Sequence, residues 1–326
     1  MKTQVTDLFG IQYPIIQGGL AYLGYAELAA AVSNAGGLGQ ITAATLRTPG
    51  NLRNEIHKIR KLTNKPFGVN FAIAKYNGEY EELLEVAIEE KVPVISITGG
   101  NPKPVLERLK GEGIKTLVLV SGVRHARKAE QLGADALIAV GQEGGGHVGR
   151  DDIGTMVLIP RIVDHVSIPV LAAGGIGDGR GLLAAFTLGA EGIVMGTRFI
   201  ATKECVHAHN EYKNALVQAQ ESDTIIIKKS LGAPGRVLRS DFALEIIEHE
   251  HQGAAYEDLK DMISGKTNCR YIYEGYEKEG FGWAGQVVGL INNVPTVQEL
   301  FDEMVLTAEN KLSRIGNMIG ERTRSY

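Results

Sequence analysis

Eight apolar runs, at 13–17, 38–42, 67–73, 92–98, 116–121, 136–141, 169–173 and 193–196, punctuate the first 200 residues, and none of them keeps a strict apolar–polar alternation. A strand with one wet face alternates; a run that is apolar almost throughout is buried on both faces, as in a parallel sheet covered by helices. Helix-like stretches separate the runs, at 24–35, 50–62, 79–90, 104–110, 123–132, 155–165 and 181–189. Alternating strands and helices imply parallel strands joined by right-handed crossovers. Eight of them favour a closed TIM (β/α)8 barrel, of the α/β class, over an open doubly wound sheet, and place catalytic groups in the loops that follow the strands.

Past residue 200 the pattern changes. Residues 203–220 read as a polar helix, 224–228 as a short β-prone run, and 240–326 as mostly helical around the glycine-rich stretch 275–289. We therefore divide the 326 residues into a barrel over 1–200 and, over 201–326, a closing helix with an appended C-terminal helical subdomain, which serves as a lid or as a homodimer interface.

Composition narrows the function. A net charge of −4 argues against a nucleic-acid surface, and short basic clusters such as Lys58-Ile59-Arg60-Lys61 read as solvated helix faces. Cys205 and Cys269 are the two cysteines and lack CxxC spacing, so neither a disulfide framework nor a zinc site is expected. No HExxH-like spacing suggests another metal. The amino terminus lacks an apolar signal core and no run reaches membrane-spanning length, so a cytoplasmic protein is expected, with a small-molecule substrate and no membrane partner.

Two glycine-bearing runs, Ala172-Ala173-Gly174-Gly175 and Met195-Gly196-Thr197, end the seventh and eighth apolar runs. In a barrel those ends adjoin, and glycines there leave backbone N–H groups open to a phosphate, although tight turns alone would also use them. After the sixth run comes Gln142-Glu143-Gly144-Gly145-Gly146-His147, a glycine arm that lets a flat ring approach and carries a histidine able to exchange a proton near neutrality. Asn70 closes the third run, with an amide suited either to a heterocycle's edge or to its own backbone. Gln17-Gly18-Gly19-Leu20 closes the first with the same ambiguity.

Taken in order, Gln17-Gly18-Gly19, Asn34-Ala35-Gly36-Gly37-Leu38-Gly39, Pro66-Phe67-Gly68-Val69-Asn70, Glu143-Gly144-Gly145-Gly146-His147, Ala173-Gly174-Gly175 and Met195-Gly196-Thr197-Arg198-Phe199 resemble the nitronate monooxygenase (2-nitropropane dioxygenase) family. The resemblance spans roughly 8–200 and returns at Trp283-Ala284-Gly285-Gln286. It implies an FMN-binding TIM barrel whose relatives include flavin-dependent enoyl-acyl-carrier-protein reductase II and NADH:quinone reductases. Lys229-Ser230-Leu231 and the segment 256–270 resemble the quinone reductases as much as any monooxygenase.

By that resemblance Gly18 and Gly19 flank the flavin ring, Asn70 meets its polar edge, and Gln17, Thr98 and Ser121, at the ends of the first, fourth and fifth runs, also belong to the cofactor site. Gly174, Gly175, Gly196 and Thr197, between Ala173 and Met195, hold the phosphate; Glu143 and Gly146 line the loop, Gln286 closes the site, and His147 is the active-site acid or base. Leu20 stands where many members have Met, and Gly144 where Ala is more usual. The implied reaction is oxidation of alkyl nitronates by O2, with His147 protonated to stabilise negative charge or neutral to deprotonate a nitroalkane. The alternative is reduction of quinones or enoyl thioesters by NAD(P)H. A flavin-free barrel of the inosine-monophosphate-dehydrogenase type would need a nucleophilic cysteine in a barrel loop, where neither Cys205 nor Cys269 is expected.

Overall fold

The computed structural model describes residues 1–73 and 80–323, so the start of the helix expected at 79–90 and the last three residues of the tail lie outside the described residues. Eight parallel strands form the barrel wall: β1 (Ile15–Gln17), β2 (Gly39–Thr42), β3 (Phe67–Ala72), β4 (Val94–Thr98), β5 (Lys115–Val120), β6 (Ala136–Val140), β8 (Val170–Ala173) and β9 (Gly192–Met195), with the short β7 (Gly146–His147) outside it. Neighbours pair in chain order from β2 through β9, and β9 pairs with β1. The ring closes between β1 and β2 through the Ile16–Leu38 bridge, where Gln17 N–H donates to Leu38 C=O and Leu38 N–H to Ile15 C=O.

The absence of alternation has a direct structural cause. Successive residues of a strand face opposite sides. Ile16, Leu117, Ile138, Leu171 and Val194 meet in a small inner cluster, together with Val5 and Phe9 of an amino-terminal helix, Gln4–Phe9. Their neighbours Ile15, Val118, Leu137, Ala172 and Ile193 belong to a larger cluster under the surrounding helices. Both faces of each strand are therefore dry.

The eighth barrel helix arrives at the end of the chain. Val297–Thr323 packs against the helices Gly179–Thr187 and Ala26–Asn34, which flank the position an eighth helix must take. A Cβ on Gly179 would lie 2.2 Å from Met304 C=O, so the two helices touch backbone to backbone. Residues 201–296 are thus inserted between the last strand and its helix. Buried Arg198 ties the two ends of that insertion, donating to the carbonyls of Ala201 and Asn293.

The insertion contains the helix Asn210–Gln218, within the expected polar stretch, and further short helices. It also contains sheet, of which the β-prone run at 224–228 was the one part expected. β10 (Thr224–Ile227) and β11 (Gly235–Leu238) form an antiparallel hairpin, and β7 adds to β11 as a third strand. A satellite core of Ile227, Val237, Ala243, Ile246, Leu259 and Phe281 lies under it. Among the described residues no helix is long and apolar enough to cross a membrane, and no group of three or more His, Cys, Asp and Glu side chains could hold a metal.

Candidate active site

Every sequence-predicted site residue lies at the carboxyl-terminal rim of a barrel strand or in the tail that crosses that rim. Ala173 and Met195 end β8 and β9 with side chains in the core, and only the backbone that follows them reaches the rim. Gly174 and Gly175 adopt φ of +99° and +71°, which a side chain would oppose. Among the described residues, the backbone N–H groups of Gly174, Gly175, Gly196 and Thr197 have no protein acceptor, although Thr197 is buried. Buried or half-buried N–H groups are nearly always paired, so four at adjoining strand ends form a cradle for an acceptor-rich group.

The tail closes over this cradle. Gly285 N–H donates to Thr197 Oγ1 at 3.0 Å, and Gln286 N–H donates to Glu143 C=O at 2.9 Å. The Gln286 side chain itself remains exposed. Backbone meets backbone there: a Cβ on Gly145 would come within 2.6 Å of Gly285 N, and one on Gly285 within 2.7 Å of Glu143 C=O. The glycine arm is as bare as it is because the tail packs on it.

Glu143 joins the sixth and seventh rim positions. Its carboxylate accepts from Thr155 N–H and Thr155 Oγ1, capping the helix Thr155–Val163, and Thr155 Oγ1 lies 3.0 Å from Gly174 C=O. At the opposite side Asn70, 2% exposed, donates from Nδ2 to Ser96 Oγ at 2.9 Å and lies 3.5 Å from Thr98 Oγ1. Gly19 accommodates it, since a Cβ there would overlap Asn70 Oδ1 at 2.2 Å. Gly18 N–H donates to Met195 C=O, and Gly149 packs over Ser121. The Gln17 amide is engaged elsewhere: Nε2 donates to Gln40 C=O and Oε1 accepts from Gln40 N–H, bracing the β1–β2 closure.

His147 is not on a free arm. It is paired in β7 opposite Gly235, with its ring 5.2 Å from that of Trp283 and its Nε2 2.8 Å from Lys228 Nζ. The residue is exposed to solvent, although protein encloses its ring on the Lys228 and Trp283 sides. That enclosure, and after it the Lys228 ammonium, lower its pKa from 6.5 to about 4. Lys228 is 7% exposed, lies 4.8 Å over the Trp283 ring, and is lowered from 10.5 to about 8 by burial, with Glu250 acting in the opposite direction. Its backbone is left-handed at φ +60°, a costly setting for a side-chain-bearing residue. Glu250 holds that turn, accepting from Lys228 N–H, Ser230 N–H and Ser230 Oγ.

Sequence reasoning missed Lys228 and Trp283 as partners of His147. The one local signal was a lysine at the end of the β-prone run 224–228, followed by Lys229-Ser230-Leu231. Two other histidines have structural partners elsewhere. His209 caps the helix Asn210–Gln218, and His207 stacks on Tyr25 at 4.0 Å. Cys205 is buried and its thiol is pushed up to about 12 by desolvation, which disqualifies it as a nucleophile at neutral pH.

Comparison with known proteins agrees with this geometry. The structure of FabK from Thermotoga maritima superposes with a TM-score of 0.92 at 40% identity, covering 98% of this chain and 99% of that one. A "(3aS,4S,5R,7aS)-5-hydroxy-7a-methyl-1-oxo-octahydro-1H-indene-4-carboxyl-CoA dehydrogenase" of Rhodococcus jostii is 33% identical over 97% of this chain and 98% of its own length. A probable nitronate monooxygenase of Staphylococcus haemolyticus is 34% identical over 93% and 96%. The family model for nitronate monooxygenase matches residues 2–83 and 74–307, which takes in the cradle, the His147 corner and the closing tail, and the chain is an oxidoreductase belonging to the nitronate monooxygenase family.

Proposed function

We propose that this protein is an FMN-dependent oxidoreductase that oxidises alkyl nitronates with O2. The observation that carries the reading is the cradle of four backbone N–H groups without acceptors at the ends of β8 and β9, in a chain of this family. Gly174, Gly175, Gly196 and Thr197 would hold the FMN phosphate, the Thr197 hydroxyl retaining its own proton to donate while its oxygen accepts from Gly285. Asn70, supported by Thr98, and Ser121 would meet the polar edge of the ring; Gly18 and Gly19 would leave room along it. Gln17, Glu143, Gly146, Ala173, Met195 and Gln286 would act by holding those groups in place.

FMN, when bound, would supply the electron transfer between substrate and O2. The chain's own part is binding, charge and proton position. Enclosure by protein, and after it the Lys228 ammonium, make the His147 imidazolium unfavourable at neutral pH, so the neutral imidazole is the working form and the positive charge at this corner belongs to the lysine. A negatively charged nitronate suits that charge.

One observation favours a second reading, reduction of an enoyl thioester or a quinone by NAD(P)H: identity to FabK reaches 40% over nearly the whole chain, and another relative carries an acyl-CoA name. Anaerobic mixing with NADH or NADPH separates the two. The proposal expects a yellow protein that consumes O2 with an alkyl nitronate and whose flavin is not bleached rapidly by either nicotinamide. Rapid bleaching with no nitronate turnover would replace it by the reductase reading, and protein without flavin would remove both.

A further inference from the structure

We infer that Lys228 is a positioning residue for His147: its ammonium occupies Nε2 as a hydrogen-bond donor, and so fixes the ring as the tautomer that carries its proton on Nδ1. The inference rests on the proposed role of His147 at the reacting centre. Its geometry is independent of the substrate. An ammonium has three protons to give and no lone pair, so at 2.8 Å from Nε2 it can only donate, and the nitrogen that receives it must be unprotonated. Among the described residues Nδ1 has no protein partner. It is left as an N–H free to donate to a bound molecule.

The lysine is held for this task. The left-handed Lys228 backbone starts the β10–β11 turn, in which Ala233 N–H donates to Lys228 C=O. Glu250, from the helix Asp241–His251, clamps that turn through the backbone and Ser230, without neutralising the ammonium by direct contact. The Trp283 ring covers the ammonium from the tail. Other charged groups nearby are directed elsewhere. Arg236 on β11 donates to Gln142 C=O and Thr224 Oγ1, and Lys229 pairs with Asp152. Lys228 and Glu250 are the charges that act on the pair, and His147 can accept a proton only at Nε2, once that nitrogen has released the lysine.

The test is nitrogen-15 spectroscopy of the histidine-labelled, flavin-loaded protein, with His147 assigned by its loss in His147→Gln. At neutral pH the wild-type ring should show an unprotonated Nε2 and a protonated Nδ1, and should titrate well below 6.5. In Lys228→Met its pKa should climb by about half a unit or more while stopping short of 6.5, because the enclosure remains. In Lys228→Arg it should stay low, and the alkaline fall in turnover expected near 8 from loss of the Lys228 proton should disappear. A protonated Nε2 in the wild type, a titration unmoved in Lys228→Met, or an alkaline limb unchanged in Lys228→Arg would each overturn the inference. If Lys228→Met does not fold, the wild-type spectrum alone decides. Failure of nitronate turnover with the expected ring spectrum would fault the functional reading and leave the pairing intact.

Discussion

The β8–β9 cradle and the His147 corner share one rim and are built in opposite ways. The cradle is backbone: four N–H groups without protein acceptors, three of them on glycines and one at the residue that follows. The corner is side chain: an imidazole, an ammonium and an indole brought together from residues 147, 228 and 283. A backbone site is written in a short stretch of sequence, because glycine is both its cause and its visible mark. A side-chain constellation exists only after the insertion has folded over the barrel.

The two constructions should fail differently. The largest effect falls on the corner: His147→Ala should retain flavin and lose turnover by about 10²–10⁴-fold, the range for removing a proton-handling group, measured by steady-state O2 uptake; undiminished turnover would separate the corner from the chemistry. Next, Lys228→Met should make the protein more stable at pH 7 while impairing it. Folding lowers the lysine's pKa from 10.5 to about 8, so the unfolded chain binds more protons between those values. The cost of burying the charge is present below 8 and is relieved as pH rises toward 10.5. Removing it should add about 1–3 kcal/mol in denaturant unfolding at pH 7, less whatever the His147 bond contributes, and the gain should shrink at high pH.

On the cradle side, Gly285→Ala should force the tail from the glycine arm, since its Cβ would stand 2.7 Å from Glu143 C=O and 2.8 Å from Gly145 N. A loss of about 1–3 kcal/mol in thermal unfolding and weaker flavin retention are expected. Little change would show that the tail does not need backbone contact to close the site. The smallest effect belongs to Glu143→Gln, which keeps the shape and weakens the cap on Thr155, at about 1 kcal/mol; flavin affinity should fall with it if the cap holds Gly174 in place.

Much of the barrel was legible because each strand is dry on both faces and each helix on one, a pattern that every residue repeats. Ile15 and Ile16 face opposite cores, so neither had to be polar. Element ends were less legible: the first run was read from Tyr13, yet the strand starts at Ile15 because Pro14 offers only its carbonyl, which Ile193 N–H takes. Gln17 illustrates a different limit. Its place at the rim was readable, but not that its amide would be taken by Gln40 on the adjoining strand. In the small sheet the β10 run is legible, but β7 is hidden for a topological reason: a two-residue strand has no periodicity to read, and it forms by pairing with β11.

The late arrival of the eighth barrel helix has a consequence for synthesis. As the chain leaves the ribosome, all eight strands are present by residue 195, but the groove between the first and seventh barrel helices stays open until Val297–Thr323 emerges. The segment carrying Lys228 and Trp283 is made while that groove is vacant, and Arg198 ties its two ends through Ala201 and Asn293. A chain stopped before residue 297 would hold every strand and every residue of the cradle, and would lack the part that seals the barrel wall. Every residue of the site is thus made before the helix that completes the scaffold.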